Sequence, residues 1–257
     1  MMSNKPIAWE ELAWPEIPSV LAACGSAVLF PLGATEQHGP HLGTGVDTLI
    51  AHAVCREVSA RTGVPFLPPL AYGCSLGHTT KWPGTLSLAT TTLIAVLCDI
   101  GGWLYASGVR RLFFISAHVT NYAPARCALE ELRFRHADLM VTVIPTAEIS
   151  GRVREAFFAE GPDWHANAAE SSLTLELRSE MARPALFAAA DDPDRTGGLE
   201  FAHPVSRTSL NGTTGKPSLA SRDDGSVLFE AMVADLAGRV RAGIAEVPPV
   251  DAKGDCQ

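Results

Sequence analysis

"SAVLFPLGATEQHGPHLGTGVDTLIAHAVCREVSARTG", residues 26–63, decides how the rest of the chain is read. Its first part, residues 26–33, is a largely apolar run that ends on glycine, the pattern of a buried strand. Residues 47–63 carry apolar side chains at helical spacing and also end on glycine, a common helix stop. Strand, loop and helix in that order make the first part of a βαβ unit. The loop between them packs Glu36, His38 and His41 among glycines, and Asp47 opens the helix.

The same alternation continues downstream. "VPFLPPL" (64–70) is a second strand-like piece, weakened by its prolines. A long glycine-rich loop (71–88) and a helix (90–108) lead to a clear strand, "RRLFFISAH" (110–118). Asn121 can cap the helix that follows (122–137), and "DLMVTVIP" (138–145) is a fourth strand. Helices over 167–181 and 226–247 close the chain. Strands alternating with helices of this length imply an α/β fold, a mostly parallel sheet with helices on both faces. A single domain over residues 1–247 is expected, with a flexible tail over 248–257. Ligands of such sheets sit beyond the carboxyl ends of the strands. The loop after the first strand and "SAHVTN" after the strand at 110–118 therefore emerge at one edge.

Composition narrows the function. The 257 residues carry a formal net charge of −8, with no basic run. That argues against nucleic acid or an anionic membrane as partner, since both need clustered Lys and Arg. The six cysteines form no CxxC pair and read as buried free thiols of a reducing compartment. The first twenty residues lack the pattern of a signal peptide, and the longest apolar run is broken by Asp99 and a Gly-Gly pair. A soluble, cytoplasmic protein is the expectation.

Glu36 and His38 are two apart, so in extended chain both side chains point the same way. Asp47 alone would read as a first-turn helix acid, and His118 alone as a satisfied core histidine. Together, carboxylates and imidazoles near strand ends suit zinc, manganese or iron(II). A carboxylate can bridge two such ions and so place one activated water between them. His41 and His52 are better read as structural.

"LFPLGATEQHGPHLGTGVDTLIA" strongly resembles the signature of the creatininase (creatinine amidohydrolase) family. "GHTTKWPGTLSL", "SAHVTN", "HANAAESSL" and "NGTTGKPSLAS" look like further elements of that family, in the same order over roughly residues 8 to 245. The resemblance implies a three-layer α/β/α sandwich, a homo-oligomer (often a hexamer), two divalent metal ions per subunit, and hydrolysis of amide bonds, many of them cyclic. It would place Glu36, Asp47 and His118 on one ion, and His38 and Asp47 on the other. Creatininase carries a glutamate where this chain has Thr120, so Glu170, from the "HANAAESSL" element, is expected to complete the second site and to act in catalysis. His165 matches the family's catalytic or substrate-contacting histidine. Trp164, His78, Trp82, Thr120 and Asn121 are expected near the substrate, with Lys81 a weaker candidate. The expected activity is hydrolysis of a small, non-peptide C–N bond by a hydroxide bridging the ions. The alternatives are a non-catalytic metal-binding protein, or a hydrolase of a cyclic ketone or a formamide.

Overall fold

The computed structural model describes residues 5–79, 81–248 and 250. Three strands, β1 (Ala27–Leu32), β2 (Arg111–Ser116) and β3 (Met140–Pro145), form one parallel sheet in the order β1-β2-β3. Ala27 pairs with Arg111, and Arg111 with Met140, so the three strands run in step to Leu32, Ser116 and Pro145. β1 is buried along its whole length, as its unbroken apolar sequence requires.

The segment at 64–70 corrects the expectation of a second, strand-like piece there. It follows β1 only through isolated parallel bridges, Leu29 to Phe66 and Leu32 to Leu70. Leu67 and Leu70 each donate an N–H to β1, whereas Pro65, Pro68 and Pro69 have none to give. It is a broken edge beside β1, and it closes that side of the sheet.

A first short helix, α1 (Ile17–Ala23), precedes β1. From β1 the chain crosses to the broken edge through α2 (Val46–Thr62), which stops on Gly63 in the left-handed region. It returns past β1 to β2 through α3 (Thr90–Ala106), then reaches β3 through α4 (Tyr122–Arg135). Right-handed crossovers in opposite directions put α2 on one face and the packed pair α3 and α4 on the other. After β3 come α5 (Gly151–Phe157), α6 (Ala168–Arg178), two single turns, α7 (Phe187–Ala190) and α8 (Val205–Thr208), and the long α9 (Arg222–Ala245). α9 packs on α2 and α6, completing that layer.

α9 begins a turn earlier than its apolar run suggests. Ser221 caps it, accepting the Asp224 N–H, and Gly225 passes so close to the Ser172 carbonyl of α6 that a Cβ there would collide. Two further corrections follow from packing. Cys127 is exposed, because it lies off the buried stripe of α4 that Ala125, Ala128, Leu129 and Leu132 form. Cys24, Cys55, Cys74 and Cys98 are buried and free. Asn121 does not cap α4 with its side chain. No helix among the described residues is long and apolar enough to cross a membrane. The tail expected over 248–257 falls largely outside the described residues.

The order edge, β1, β2, β3 reverses the direction of winding between β1 and β2. A crevice opens at such a switch point, at the carboxyl ends of the strands. Asn121 ties its walls together. Its Oδ1 accepts the Cys74 N–H at 2.8 Å and its Nδ2 donates to the Gly33 carbonyl at 2.9 Å, joining three loops. Asn121→Ala would strand both backbone groups, at about 1–3 kcal/mol each, so a loss of about 2–6 kcal/mol is expected in chemical denaturation. A loss below about 1 kcal/mol would show that the loops hold without this tie.

Candidate metal centre

The loop after β1 is held both by its own bonds and by its neighbours. Glu36 donates its N–H to Thr44 O at 2.8 Å, and Gln37 donates its N–H to Thr85 Oγ1 at 3.0 Å. Gly39 adopts φ +63, and a Cβ there would meet the Thr213 hydroxyl, so the turn needs glycine. This folds Glu36 and His38 back over the sheet edge, beside Asp47 in the first turn of α2 and His118 just past β2.

The fifth side chain arrives from α6. Ala166 takes the left-handed region at φ +52, and Asn167 then caps the helix by accepting the Glu170 N–H at 3.2 Å. That turn aims His165 and Glu170 at the crevice. Two overlapping triads result, Glu36–Asp47–His118 and His38–Asp47–Glu170, in each of which the ligand atoms lie within 4.8 Å of one another. Asp47 belongs to both. Glu36, His38 and His165 make a third grouping at the cavity side.

Second neighbours orient the imidazoles. His38 Nδ1 lies 3.0 Å from Glu36 O, an atom that only accepts, so it carries the proton. In the neutral ring its Nε2 is bare, 3.5 Å from Asp47 Oδ1 and 3.6 Å from Glu170 Oε1. His118 Nε2 donates to Cys74 O at 3.0 Å and approaches the Thr120 hydroxyl at 2.6 Å. In the neutral ring its Nδ1 is bare, 3.4 Å from Asp47 Oδ2. Bare nitrogens aimed at carboxylates, with the opposite nitrogen held by a carbonyl, are the arrangement of metal-binding histidines. Thr120 belongs to neither triad; its hydroxyl donates to Cys74 O and steadies His118.

Electrostatics test whether cations fit here. Glu36, Asp47 and Glu170 are all buried, and no lysine or arginine pairs with them among the described residues. Both carboxylate oxygens of Glu36 and Oδ2 of Asp47 have no hydrogen-bond partner. A buried charge in that state is costly unless a cation compensates it. Burial pushes the Glu36 carboxyl up to about 7, against His118, with Asp47 adding to the rise. Burial works against a charge on His38 and His118, but Asp47 with Glu170 holds His38 well above the usual histidine range, and Glu36 with Asp47 raises His118. Asp47 is held low by His38 and His118 in spite of its burial. The cluster without ions thus gathers protons, and divalent ions fit the donor set that would release them.

A cavity of about 360 Å³ opens onto this cluster. Of the residues expected near substrate, His78, Thr120, Trp164 and His165 line it; Trp82 and Asn121 do not. Lys81 donates to Ser209 O at 2.7 Å and lies over the Trp82 ring. Burial, with His118 nearby, pushes His78 down to about 3, and burial with His78 nearby holds His165 well below its usual value, so both rings are neutral. His41 lies buried behind the cluster on Ser171, and His52 lies against Phe66. A larger hollow of about 820 Å³ between α6 and α9 holds no metal-ligating triad among the described residues. Sequence reading passed over Gln37, although the same alternation that pairs Glu36 with His38 turns Gln37 the other way, toward His78 and His165. It also passed over the Cys74 carbonyl and Ser75, which no sequence pattern marks.

The creatinine amidohydrolase family model matches residues 10–240. Creatinine amidohydrolase of Pseudomonas putida is 32% identical over 263 residues, covering 96% of this chain and 99% of that protein. A mycofactocin precursor peptide peptidase of Mycobacterium tuberculosis (strain ATCC 25618 / H37Rv) is also 32% identical, over 242 residues, covering 86% of this chain and 87% of its own. A crystal structure of creatininase superposes with a TM-score of 0.81 at 30% identity, covering 95% of this chain and all of its own. Zn-Zn and Mn forms of creatininase match with the same TM-score of 0.81. A doubly wound α/β fold with acids and histidines gathered at its switch point, and a likeness that runs nearly end to end, lead to one conclusion: this chain belongs to the creatininase family of hydrolases.

Proposed function

We propose that this chain is a dinuclear metal-dependent amidohydrolase acting on a small, non-peptide amide. Glu36, Asp47 and His118 would hold one divalent ion, and His38, Asp47 and Glu170 the other. The observation that carries this reading is Asp47, shared by both triads and facing carboxylate oxygens that no protein group satisfies. Glu170 supplies the carboxylate that the threonine at position 120 cannot. Carboxylate and imidazole ligands suit zinc, manganese or iron(II). Such ions, when bound, supply an activated water and polarise the substrate carbonyl.

The remaining work falls to the chain. In the hydrolysis the oxygen of water joins the carbonyl carbon, the C–N bond breaks, and a water proton ends on the departing nitrogen. His165 is placed to carry that proton. It is neutral, it lines the cavity, and its Nδ1 faces Glu36 Oε1 at 3.5 Å. Val119, Phe158 and Trp164 give the cavity apolar walls, and its volume lies at the small end for ligand sites. Glu148 and Asp163 line it while no lysine or arginine among the described residues does, which favours a neutral or cationic substrate over an anionic one. A peptide peptidase is as identical to this chain as creatinine amidohydrolase is, at 32%, although over less of its length, so substrate choice is the point to test. A panel of cyclic amides, creatinine included, run beside short peptides supports the reading if a cyclic amide is turned over. Turnover of peptides alone would replace it, and metal binding without any turnover would favour a non-catalytic role.

Elemental analysis should find about two divalent ions per chain. Asp47→Ala should lose both, and Glu170→Gln only the second; two ions retained in the Asp47 variant would dismiss the shared ligand. His165→Ala should keep its metal and lose about 10²- to 10⁴-fold in turnover. Unchanged turnover would remove His165 from proton transfer. Metal affinity should rise with pH, because ions displace protons held by Glu36, His38 and His118. Below pH 7, the Glu36 proton alone gives about a tenfold gain per pH unit. Calorimetry in buffers of different ionisation heat reads the released protons, and a flat pH profile would contradict the ligand set.

A further inference from the structure

Gln37 lies between two histidines of the cavity, and its hydrogen bonds permit one placement of protons. Its Oε1 accepts the Gly39 N–H at 2.9 Å, which fixes the orientation of the amide. Nε2 then has two protons and three neighbours: Gly212 O at 3.0 Å, His78 Nδ1 at 3.0 Å and His165 Nε2 at 3.2 Å. The last cannot accept. It lies 2.8 Å from the Gln37 carbonyl oxygen, which only accepts, so His165 Nε2 itself carries a proton. The amide protons therefore go to Gly212 O and His78 Nδ1. His78 is left with its proton on Nε2, and His165 with a bare Nδ1.

We propose that Gln37 is a positioning residue that sets this pair in complementary states, His78 presenting an Nε2–H as hydrogen-bond donor to the substrate and His165 presenting a bare Nδ1 as proton acceptor. The catalytic part of this rests on the hydrolase reading; the placement of protons does not. Gln37 is itself buried, and Gly212, at φ +89, comes so near its Oε1 that any Cβ would collide. The amide cannot turn over without breaking the bond to Gly39.

A second consequence concerns Glu36. His78 Nδ1 and His165 Nδ1 lie 3.4 and 3.5 Å from its Oε1. With both nitrogens bare, neither donates to that oxygen, and Glu36 stays free for a cation. In the other tautomer either ring could cap the carboxylate and compete with the ion. Gln37 thus acts on two rings at once and keeps a proposed ligand available.

Ring-nitrogen ¹⁵N spectra of the zinc-loaded protein at neutral pH test the placement directly, with signals assigned through His78→Gln and His165→Gln. Both rings should show the neutral Nε2–H form. A proton on His78 Nδ1, or a charged ring, overturns the inference whether or not any amide is hydrolysed. Gln37→Met, close in size but without hydrogen bonds, supplies the second readout. It should bind zinc more weakly and, once loaded with zinc, keep its KM, lose the single tautomer of His78 and fall about 100-fold in kcat. A zinc-loaded variant with unchanged kcat would remove Gln37 from any role in turnover.

Discussion

Three carboxylates are buried around one point, and among the described residues no lysine or arginine answers them. Glu36, Asp47 and Glu170 are each at most 2% exposed. An isolated carboxylate in such surroundings costs several kcal/mol, and three together repel one another. The rest of the site follows from that constraint. The loops around it are tied by backbone and amide bonds, to which Glu170 adds one by accepting the Ala166 N–H at 2.6 Å. The histidines turn bare nitrogens inward, because their outer nitrogens are already held by carbonyls. Protons occupy the cluster when ions do not, so its charge and its ion content are linked.

The fold makes the convergence possible. Residues far apart in sequence meet because β1 and β2 are neighbours whose crossovers leave in opposite directions, and the crevice lies where their carboxyl ends part. α6 reaches the same point from the other side of the chain, through one left-handed residue at Ala166 and a capping asparagine at 167. A backbone conformation that costs energy is kept at this turn, which is where local strain tends to serve function. Asn121 shows the same economy. Its side chain leaves the helix it begins and joins loops of three successive crossovers, so the site inherits the rigidity of the sheet edge.

Much of this architecture is legible in the order of residues. The buried runs at 26–33 and 110–118 name their own strands, because a strand covered on both faces leaves no room for polar side chains. The helices are legible from apolar spacing, although Ser221 and Gly225 hide the start of α9, since a glycine in a helix makes sense only when its neighbour is known. The segment at 64–70 reads as a strand by composition and becomes a broken edge because its prolines cannot donate to β1. Cys127 reads as buried by residue type and is exposed by its register on α4. Trp82, picked out from its motif, lies off the cavity, because a motif records order along the chain and not the direction of a side chain.

The sequence by itself determined the chemistry on offer: acids and imidazoles in glycine-rich loops after apolar strands, and a likeness that runs along nearly the whole chain. Periodicity and residue type are local properties, so local elements and donor types can be read from them. Only the tertiary structure decided which donors meet, that Asp47 stands in two triads, that Thr120 steadies a histidine, and that Gln37 governs two rings. Those facts depend on distances of a few ångströms between residues separated by many positions. They are set by strand order, helix register and the hydrogen bonds between loops, none of which is written at any one place in the chain.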